Sequence, residues 1–232
     1  MIEIPKIAFN IYGIMLIASL VLGFVMFSII LHRRGVPKEY IFYSVLLSFF
    51  LVVIVGFELT IIQIGRKNFI ENPSMSSMGC AIGAIIASFI MDLIFGFKYR
   101  ITDAQIRTLP LIYSVAKIGC FFAGCCRGIP YDGFGCVVYS SEGPTSYLPV
   151  QLIETIVFMI VFVLGITLLR KKNAIIIVIA SMLFKTLLDF GRISNGGRLG
   201  FTQAVCIVVA IVMLIADTVF TLFRNKKHAD TV

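Results

Sequence analysis

Seven long apolar runs, separated by short and mostly basic breaks, constrain the fold of this chain more than any other feature. They fall near residues 8–31, 41–64, 76–96, 108–124, 149–169, 174–190 and 200–223. A helix needs about 20 mostly apolar residues to cross a bilayer. The two shortest runs, the fourth and the sixth, are expected to be tilted or completed by irregular backbone that is buried in protein. The pattern predicts an all-α integral membrane protein, a polytopic bundle of about seven transmembrane helices.

The composition excludes a water-soluble fold. Of the 232 residues, 59% are hydrophobic and 14% are charged, whereas soluble domains are about half apolar and about one quarter charged. The polar residues are too few to cover a soluble enzyme, and six cysteines in a membrane protein of this size do not indicate a disulfide framework. We therefore expect one polytopic membrane domain over residues 1–232. The first run is too long for a cleavable signal peptide and should remain as a spanning helix.

The distribution of basic residues predicts the orientation in the membrane. The breaks after the first, third and fifth runs, together with the C-terminal tail, hold twelve lysines and arginines, against six on the opposite side. Cytoplasmic loops carry the excess of basic residues. The N-terminus is therefore expected outside and the C-terminus in the cytoplasm, with His32 and His228 on the cytoplasmic side. The same rule accounts for the net charge of +8 without a nucleic-acid partner.

The longest non-cytoplasmic stretch, residues 119–148, is rich in glycine, cysteine, tyrosine and proline. A solvated linker would be richer in serine and in charged residues. We expect an ordered segment that packs on the outer face of the membrane.

Several ionisable residues fall within or at the edges of the apolar runs. They are Glu58, Asp92, Lys117, Glu154, Lys185, Asp189 and Asp217. Charges at membrane depth are costly, so they either pair to clamp helices together or mark a polar cavity. The spacings of four and three put Lys185, Asp189 and Arg192 on one helical face. That face is either a stabilising ladder within the helix or the lining of an outward-facing cavity that accepts anions.

A set of cations is predicted in the outer half of the membrane, with carboxylates available to balance it. The cations are Lys117, Arg127, Lys185, Arg192 and Arg198, and the carboxylates are Glu58, Glu154 and Asp189. Converging cations at the outer lipid–water boundary suit a phospholipid phosphate. Charge and topology thus support a lipid-headgroup site without indicating a particular reaction.

Four cysteines cluster on the predicted outer side, at Cys120, Cys125, Cys126 and Cys136. Their spacing is not the usual pair of C-x2-C units and no histidine lies on that side, so no metal site is expected. The thiols either pack a glycine-rich helix end or include a nucleophile, since nearby cations favour the thiolate. If the helix continues through Gly124, Cys125 shares a face with Lys117 whereas Cys126 points about 100° away and packs.

Seven short segments are similar, in order along the chain, to the motifs of one family. They are 11–15 (IYGIM), 76–83 (SSMGCAIG), 117–128 (KIGCFFAGCCRG), 134–139 (FGCVVY), 149–154 (PVQLIE), 184–192 (FKTLLDFGR) and 199–203 (LGFTQ). Their counterparts are R-W-Y-G-L-M-Y, S-F-H-G-G-L-I-G, G-R-x-G-N-F-x-N-G-E-x-x-G, W-G-V-V-F-P, H-P-S-Q-L-Y-E, F-R-F-x-x-E-F-x-R and a G-Q that opens the last span. The chain thereby resembles the bacterial prolipoprotein diacylglyceryl transferase family. The resemblance implies the seven-span fold of that family, in the bacterial cytoplasmic membrane.

The resemblance also implies an activity. The family moves a diacylglyceryl group from phosphatidylglycerol to a lipobox cysteine thiol and releases glycerol phosphate. Cations placed where charge develops on the departing phosphate are the main catalytic device. By motif position, the catalytic cations would be Lys117, Lys185 and Arg192, and the substrate-binding residues would be Tyr12, Arg127, Gln151, Glu154 and Asp189.

The chain departs from the family motifs at several of these positions. The family histidine falls at Met78, and the signature arginine becomes Lys117. The two signature asparagines become Cys120 and Ala123, and the glutamate becomes Cys125. Lysine keeps the positive charge but cannot grip a phosphate as a planar fork.

Three functional hypotheses follow. The first is a membrane transferase that uses phosphatidylglycerol or a related phospholipid as donor and an acceptor at the outer face, such as a lipobox cysteine peptide. Cys125 would be an enzyme-borne acceptor in a two-step version of this reaction. The second is a non-catalytic phospholipid- or partner-binding membrane protein with the same fold. The third is a transporter, because charged residues inside spans also occur there. No cofactor is expected.

Overall fold

The computed structural model describes residues 2–5, 11–71, 75–140, 143–169, 173–193, 200, 203–211 and 214. Several predicted loop and tail charges lie outside these described residues. They are Lys6, Arg170, Lys171, Lys172, Arg198, Asp217, Arg224, Lys226, Lys227 and His228.

The described chain is mostly helical, which confirms the coarse fold prediction. Its helices are α1 (Ile11–Arg33), α2 (Lys38–Ile64), α3 (Arg66–Glu71), α4 (Ser77–Ile94), α5 (Ile101–Phe122), α6 (Val150–Ile166) and α7 (Ile175–Phe190), followed by a helical stretch at 203–211. Within the described part, three helices, α1, α2 and α4, are long and apolar enough to cross a membrane, and α6 is a shorter apolar helix. The number of seven spans and the orientation of the termini stay predictions.

The described residues also contain a small β-sheet, which the all-α prediction did not include. It consists of β1 (Ile2–Ile4), β2 (Val137–Tyr139) and β3 (Ser146–Tyr147), with β1 parallel and β3 antiparallel to β2. The β-branched and aromatic side chains of these short segments favour extended backbone. Ile4, Val137 and Tyr139 pack with Phe121, at the end of α5. Residues 119–148 therefore contain paired strands as well as turns.

The chain divides into two compact units. One is formed by residues 17–113, and the other by the described residues of 1–16 and 114–232. The prediction of a single domain over the whole chain remains untested.

In the unit of residues 17–113, α2 and α4 pack closely through small residues. The buried positions of α2 recur every four residues, at Ser44, Ser48, Val52, Gly56 and Thr60. A Cβ at Gly83 of α4 would lie 2.3 Å from the carbonyl oxygen of Leu51. Only glycine therefore allows this approach of the two backbones, as small residues commonly do in membrane helix pairs.

Helix α5 begins at Ile101, seven residues before the predicted run 108–124. The side chain of Asp92 explains the early start. Its carboxylate oxygens accept hydrogen bonds from the backbone N–H groups of Ile101 and Thr102, at 2.7 and 2.8 Å. These are unpaired first-turn donors, which a carboxylate also stabilises through the helix dipole. Asp92, predicted either to clamp helices or to mark a cavity, therefore has a structural role.

Candidate functional site

In the unit that holds the C-terminal half of the chain, three cations surround one carboxylate. Glu154, in the second turn of α6, is fully buried. Lys117 Nζ of α5 lies 3.2 Å from its Oε2, and Lys185 Nζ of α7 lies 3.5 Å from its Oε1. Arg192 Nη2 donates to both oxygens, at 2.5 and 2.7 Å. The structure therefore brings the three predicted cations together at one point.

Asp189 is the second carboxylate of this cluster. It is buried, pairs with Lys185 one turn earlier on α7, and lies 3.0 Å from Nε of Arg192. The predicted ladder of Lys185, Asp189 and Arg192 is present, although Arg192 follows the end of α7 at Phe190. Among the residues that the structure describes, the cluster therefore contains three cations and two carboxylates.

Backbone pairing fixes the position of Arg192. Ile129 N–H donates to the carbonyl of Gly191 at 2.9 Å, and Ile193 N–H donates to that of Arg127 at 3.2 Å. Gly128 is opposite Arg192 in this antiparallel bridge. A Cβ on Gly128 would lie 2.3 Å from the carbonyl oxygen of Leu148, so only glycine fits. The glycine that ends segment 117–128 thus holds the loop against the turn that carries Arg192.

A second close approach places Tyr12 beside α5. A Cβ on Gly119 would lie 2.8 Å from Cβ of Met15 and 3.3 Å from Cα of Tyr12. The first turn of α1 therefore packs directly against the turn of α5 that contains Lys117. Tyr12 therefore lies beside α5 near Gly119, and its role in substrate binding stays a prediction.

Gln151 contacts the loop after α5. It is fully buried on α6, and its amide nitrogen donates to the carbonyl of Cys125 at 2.7 Å and to the hydroxyl of Tyr139 at 3.4 Å. The predicted role of Gln151 in substrate binding stays a prediction. Its Oε1 is buried and has no hydrogen-bond partner among the described residues.

Two further predicted charges are Arg127 and Glu58. The guanidinium of Arg127 lies over the ring of Tyr147, 5.3 Å from its centroid. Glu58 is exposed on α2. Sequence reasoning missed the contacts of Tyr139, which lies in a resembling segment without a predicted role, and of Tyr147, which lies outside all of them. The aromatic content of residues 119–148 was the available signal.

The argument that placed Cys125 on the face of Lys117 was wrong. Helix α5 ends at Phe122, and the next glycine, Gly124, has a positive φ of 67° that terminates the helix. Cys126 follows with a φ of 56°, and its side chain is exposed rather than packed. The thiol of Cys125 donates to the carbonyl of Cys120 at 3.6 Å.

The titration of the two exposed thiols also differs from the expectation. Hydrogen bonds with the thiols of Cys120 and Cys126 raise the pKa of Cys125. Hydrogen bonds from Cys120 and Cys125, together with the charges of Lys117 and Arg192, lower the pKa of Cys126. The thiolate is therefore favoured at Cys126, and the covalent role of Cys125 stays a prediction without this support.

Comparison with known protein families shows to which family this chain is related. A family model described as prolipoprotein diacylglyceryl transferase matches residues 1–222, which is nearly the whole chain. The chain belongs to the prolipoprotein diacylglyceryl transferase family. The predicted resemblance to this family is thereby confirmed.

Curated relatives in this family are distant. A phosphatidylglycerol--prolipoprotein diacylglyceryl transferase of Dehalococcoides mccartyi is 23% identical over 173 residues, which cover 69% of this chain and 65% of the relative. One from Clostridium tetani is 27% identical over 128 residues, which cover 51% of each chain. The chain thus matches less than two thirds of the length of these relatives.

Residues from three of the resembling segments meet in the cation cluster. The motif resemblance predicts that Lys117 and Lys185 stand at positions of family arginines and that Glu154 and Arg192 keep the family residue types. Met78, at the family histidine position, lies in the first turn of α4. The resemblance thus predicts that the charges of the family motifs are kept around Glu154, whereas the family histidine is replaced by Met78.

Proposed function

We propose that this protein is a membrane transferase that moves a diacylglyceryl group from phosphatidylglycerol, or a related phospholipid, to a thiol acceptor at the outer face. The single observation that carries the proposal is the convergence of Lys117, Lys185 and Arg192 on the fully buried Glu154. Membership of the prolipoprotein diacylglyceryl transferase family supports the reaction class. A lipobox cysteine peptide is the acceptor that family membership suggests.

The charge of the cluster suits the donor headgroup. Among the described residues the cluster holds three cations and two carboxylates. The phosphodiester of phosphatidylglycerol carries one negative charge, which such a group of cations attracts. The side chains of Lys117, Lys185 and Arg192 are 7%, 11% and 12% exposed, so water screens them weakly. Cations fixed in such a site stabilise charge more strongly than in water and need no reorganisation during the reaction.

The same cations would act on the leaving group. The acceptor thiol gives up its proton, its sulfur forms a C–S bond to the glycerol carbon, and the C–O bond to phosphate breaks. Glycerol phosphate leaves with the electron pair and gains one negative charge. Because Glu154 and Asp189 hold the cations in place through short contacts, the phosphate meets a preorganised site. The proposal places no covalent step on Cys125.

The membrane setting of the proposal follows the charge distribution. We propose a multi-pass protein of the bacterial cytoplasmic membrane with about seven spans, the N-terminus outside and the C-terminus in the cytoplasm. The basic breaks after alternate apolar runs support this orientation. The cation cluster and residues 119–148 would then lie on the outer side, where phosphatidylglycerol can enter laterally.

A non-catalytic phospholipid-binding protein is the second candidate. The observation that favours it is Met78, which puts a thioether where the family has an imidazole base. His32 is the one histidine among the described residues, and it lies in the last turn of α1. A transferase without this base must rely on the ionisation of the acceptor thiol itself, whose ordinary pKa is about 8.5.

Reconstitution in vesicles separates these functions. The purified chain is placed in phosphatidylglycerol vesicles with a labelled glycerol headgroup, and a synthetic lipobox cysteine peptide is added. A transferase releases labelled glycerol phosphate and forms a thioether-linked peptide, and both products decrease in Lys117→Gln. If phosphatidylglycerol binds in a manner that depends on Lys117 but neither product forms, the transferase proposal is contradicted. The protein is then a non-catalytic phospholipid-binding protein.

Arg107→Gln is the matched control for the charge substitution. Arg107 is as buried as Lys117, with 4% of its side chain exposed, and it pairs with Asp103 of the same helix. Both variants remove one buried cation from α5. An equal decrease of product in the two would show a loss of fold and contradict the proposed site.

A further inference from the structure

Three cysteine thiols converge at the end of α5. The sulfur atoms of Cys120, Cys125 and Cys126 all lie within 4.8 Å of one another. Cys120 is buried in the last turn of the helix, while Cys125 and Cys126 are exposed in the turn that follows. All three are reduced thiols. The spacing in the sequence argued against a metal site, but the turn after α5 brings the sulfurs together.

The backbone of this turn is held in a conformation that costs energy. Gly124 and Cys126 have positive φ angles of 67° and 56°. A cysteine in this region costs about 1–3 kcal/mol and persists only where its surroundings impose it. Gln151, fully buried on α6, holds the carbonyl of Cys125 at 2.7 Å. The turn is thus fixed from outside, with its side chains directed toward Cys120.

Two cations of the neighbouring cluster act on the thiols through their charge. Lys117 and Arg192 both exert a positive charge on Cys126. Thiolates, not thiols, are metal ligands. The two cations would also offset the negative charge of three thiolates around one ion.

We propose that Cys120, Cys125 and Cys126 form a three-thiolate site for a soft, monovalent metal ion of the Cu(I) type. Two sulfurs bound to one ion at about 2.3 Å lie at most about 4.6 Å apart. The observed separation therefore needs only small side-chain rotations to close. Soft thiolate ligands select Cu(I) and exclude hard cations such as Mg²⁺. Binding displaces the thiol protons, up to three per ion, and changes no oxidation state.

The number of ligands separates Cu(I) from zinc. Structural zinc takes four ligands. Among the described residues, no histidine or carboxylate joins the three sulfurs as a fourth. A three-sulfur set without a fourth donor thus favours Cu(I) over Zn²⁺.

A chelator competition measures the site directly. The full chain is purified in detergent, reduced, and titrated anaerobically with Cu(I) in the presence of a chromophoric Cu(I) chelator. We expect one ion per chain. Since even an outer-shell change lowers metal affinity about 10–100-fold, loss of one ligand in Cys120→Ser, Cys125→Ser or Cys126→Ser should lower it at least about 100-fold. Equal affinity in the parent and in these variants would overturn the site.

Matched controls are available in the same chain. Cys136→Ser and Cys206→Ser alter buried cysteines outside the cluster and should leave the affinity unchanged. X-ray absorption on the loaded parent chain provides a measurement that needs no variant. Three sulfur neighbours around copper are expected, and two or fewer would contradict the proposal. A parent chain that binds Zn²⁺ more tightly than Cu(I) would contradict it as well.

Discussion

One nitrogen of Arg192, Nη2, donates to both carboxylate oxygens of Glu154, at 2.5 and 2.7 Å. The two residues are 38 positions apart, and Glu154 is fully buried. The same guanidinium reaches Asp189 through its Nε, at 3.0 Å. Arg192 therefore joins the two carboxylates of the site, and no shorter cation could do so with the same planar geometry.

Replacing Arg192 by lysine tests this double contact. Arg192→Lys keeps the charge but can satisfy only one carboxylate at a time, so the phosphate meets a misplaced cation. We expect a loss of transferase activity of about 100-fold, the effect of removing one oriented donor from an active site. Arg34→Lys, at an arginine that pairs with Asp103, is the control and should keep activity. Full activity of Arg192→Lys would show that the reaction does not require the planar guanidinium group.

Neutralising Glu154 should destabilise the chain. In Glu154→Gln, Lys117, Lys185 and Arg192 lose the carboxylate that all three contact, and breaking a buried ion pair costs about 3–5 kcal/mol. Added phosphatidylglycerol should recover part of the thermal stability, because its phosphate supplies the missing negative charge. The measurement is the midpoint of thermal unfolding with phosphatidylglycerol and with a zwitterionic lipid. Equal midpoints in the two lipids would argue against an anion site.

The cation mechanism and a covalent role for Cys125 make different predictions. Because its pKa is raised and the helix ends before it, Cys125→Ala should keep transferase activity close to that of the parent. Cys125→Ser is measured beside it, with both products followed in phosphatidylglycerol vesicles. If both variants lose activity while Cys126→Ser keeps full activity, the hypothesis that Cys125 is an enzyme-borne acceptor is supported.

The packing of α2 and α4 predicts a large effect of one methyl group. In Gly83→Ala, the new Cβ would meet the backbone oxygen and carbon of Leu51 at 2.3 and 2.7 Å, and backbone atoms cannot rotate away. Overpacking of this kind costs about 1–3 kcal/mol. Thermal unfolding in detergent measures the loss. Ile86→Ala, at an exposed position of the same helix, is the control and should unfold near the parent midpoint.

Acid should selectively weaken the ion pairs at the start of α5. Burial raises the pKa of Asp103, but hydrogen bonds and charges from Arg107 and Arg34 outweigh it, so the net shift is downward. A lowered folded-state pKa contributes stability above the unfolded value of about 3.9, and this contribution is lost as the pH falls through the folded value. Asp103→Asn should therefore be less stable than the parent at neutral pH, and the difference should vanish in acid. A difference that persists unchanged below the folded pKa would refute the assignment.

Much of the helical framework was predictable from the sequence. Each of the seven apolar runs contains a helix, and the ends of α2 and α7, at Ile64 and Phe190, agree with the predicted ends. Long apolar runs determine where helices form, because only helices satisfy every backbone group inside a bilayer. The start of α5 was misplaced because its cap, Asp92, acts from nine residues away, beyond the range of any local pattern.

The types of charged residue in the site were also readable from the sequence, through their apolar surroundings. Their arrangement was not. Spacing alone linked Lys185 to Asp189, since four residues make one helical turn, but it could not place Glu154 between Lys117 and Arg192. That geometry comes from the packing of three helices and from the backbone bridge between Gly128 and Arg192.

The cysteine thiols show the same difference between what the sequence predicts and what the tertiary structure determines. Periodicity extended α5 through Gly124 and separated Cys125 from Cys126, whereas the folded chain turns there and gathers both sulfurs around Cys120. The sequence by itself determined which segments are helical, because burial of apolar surface and backbone hydrogen bonding act locally. Only the tertiary structure decided which charges and thiols meet, because those contacts join residues that the chain separates and packing brings together.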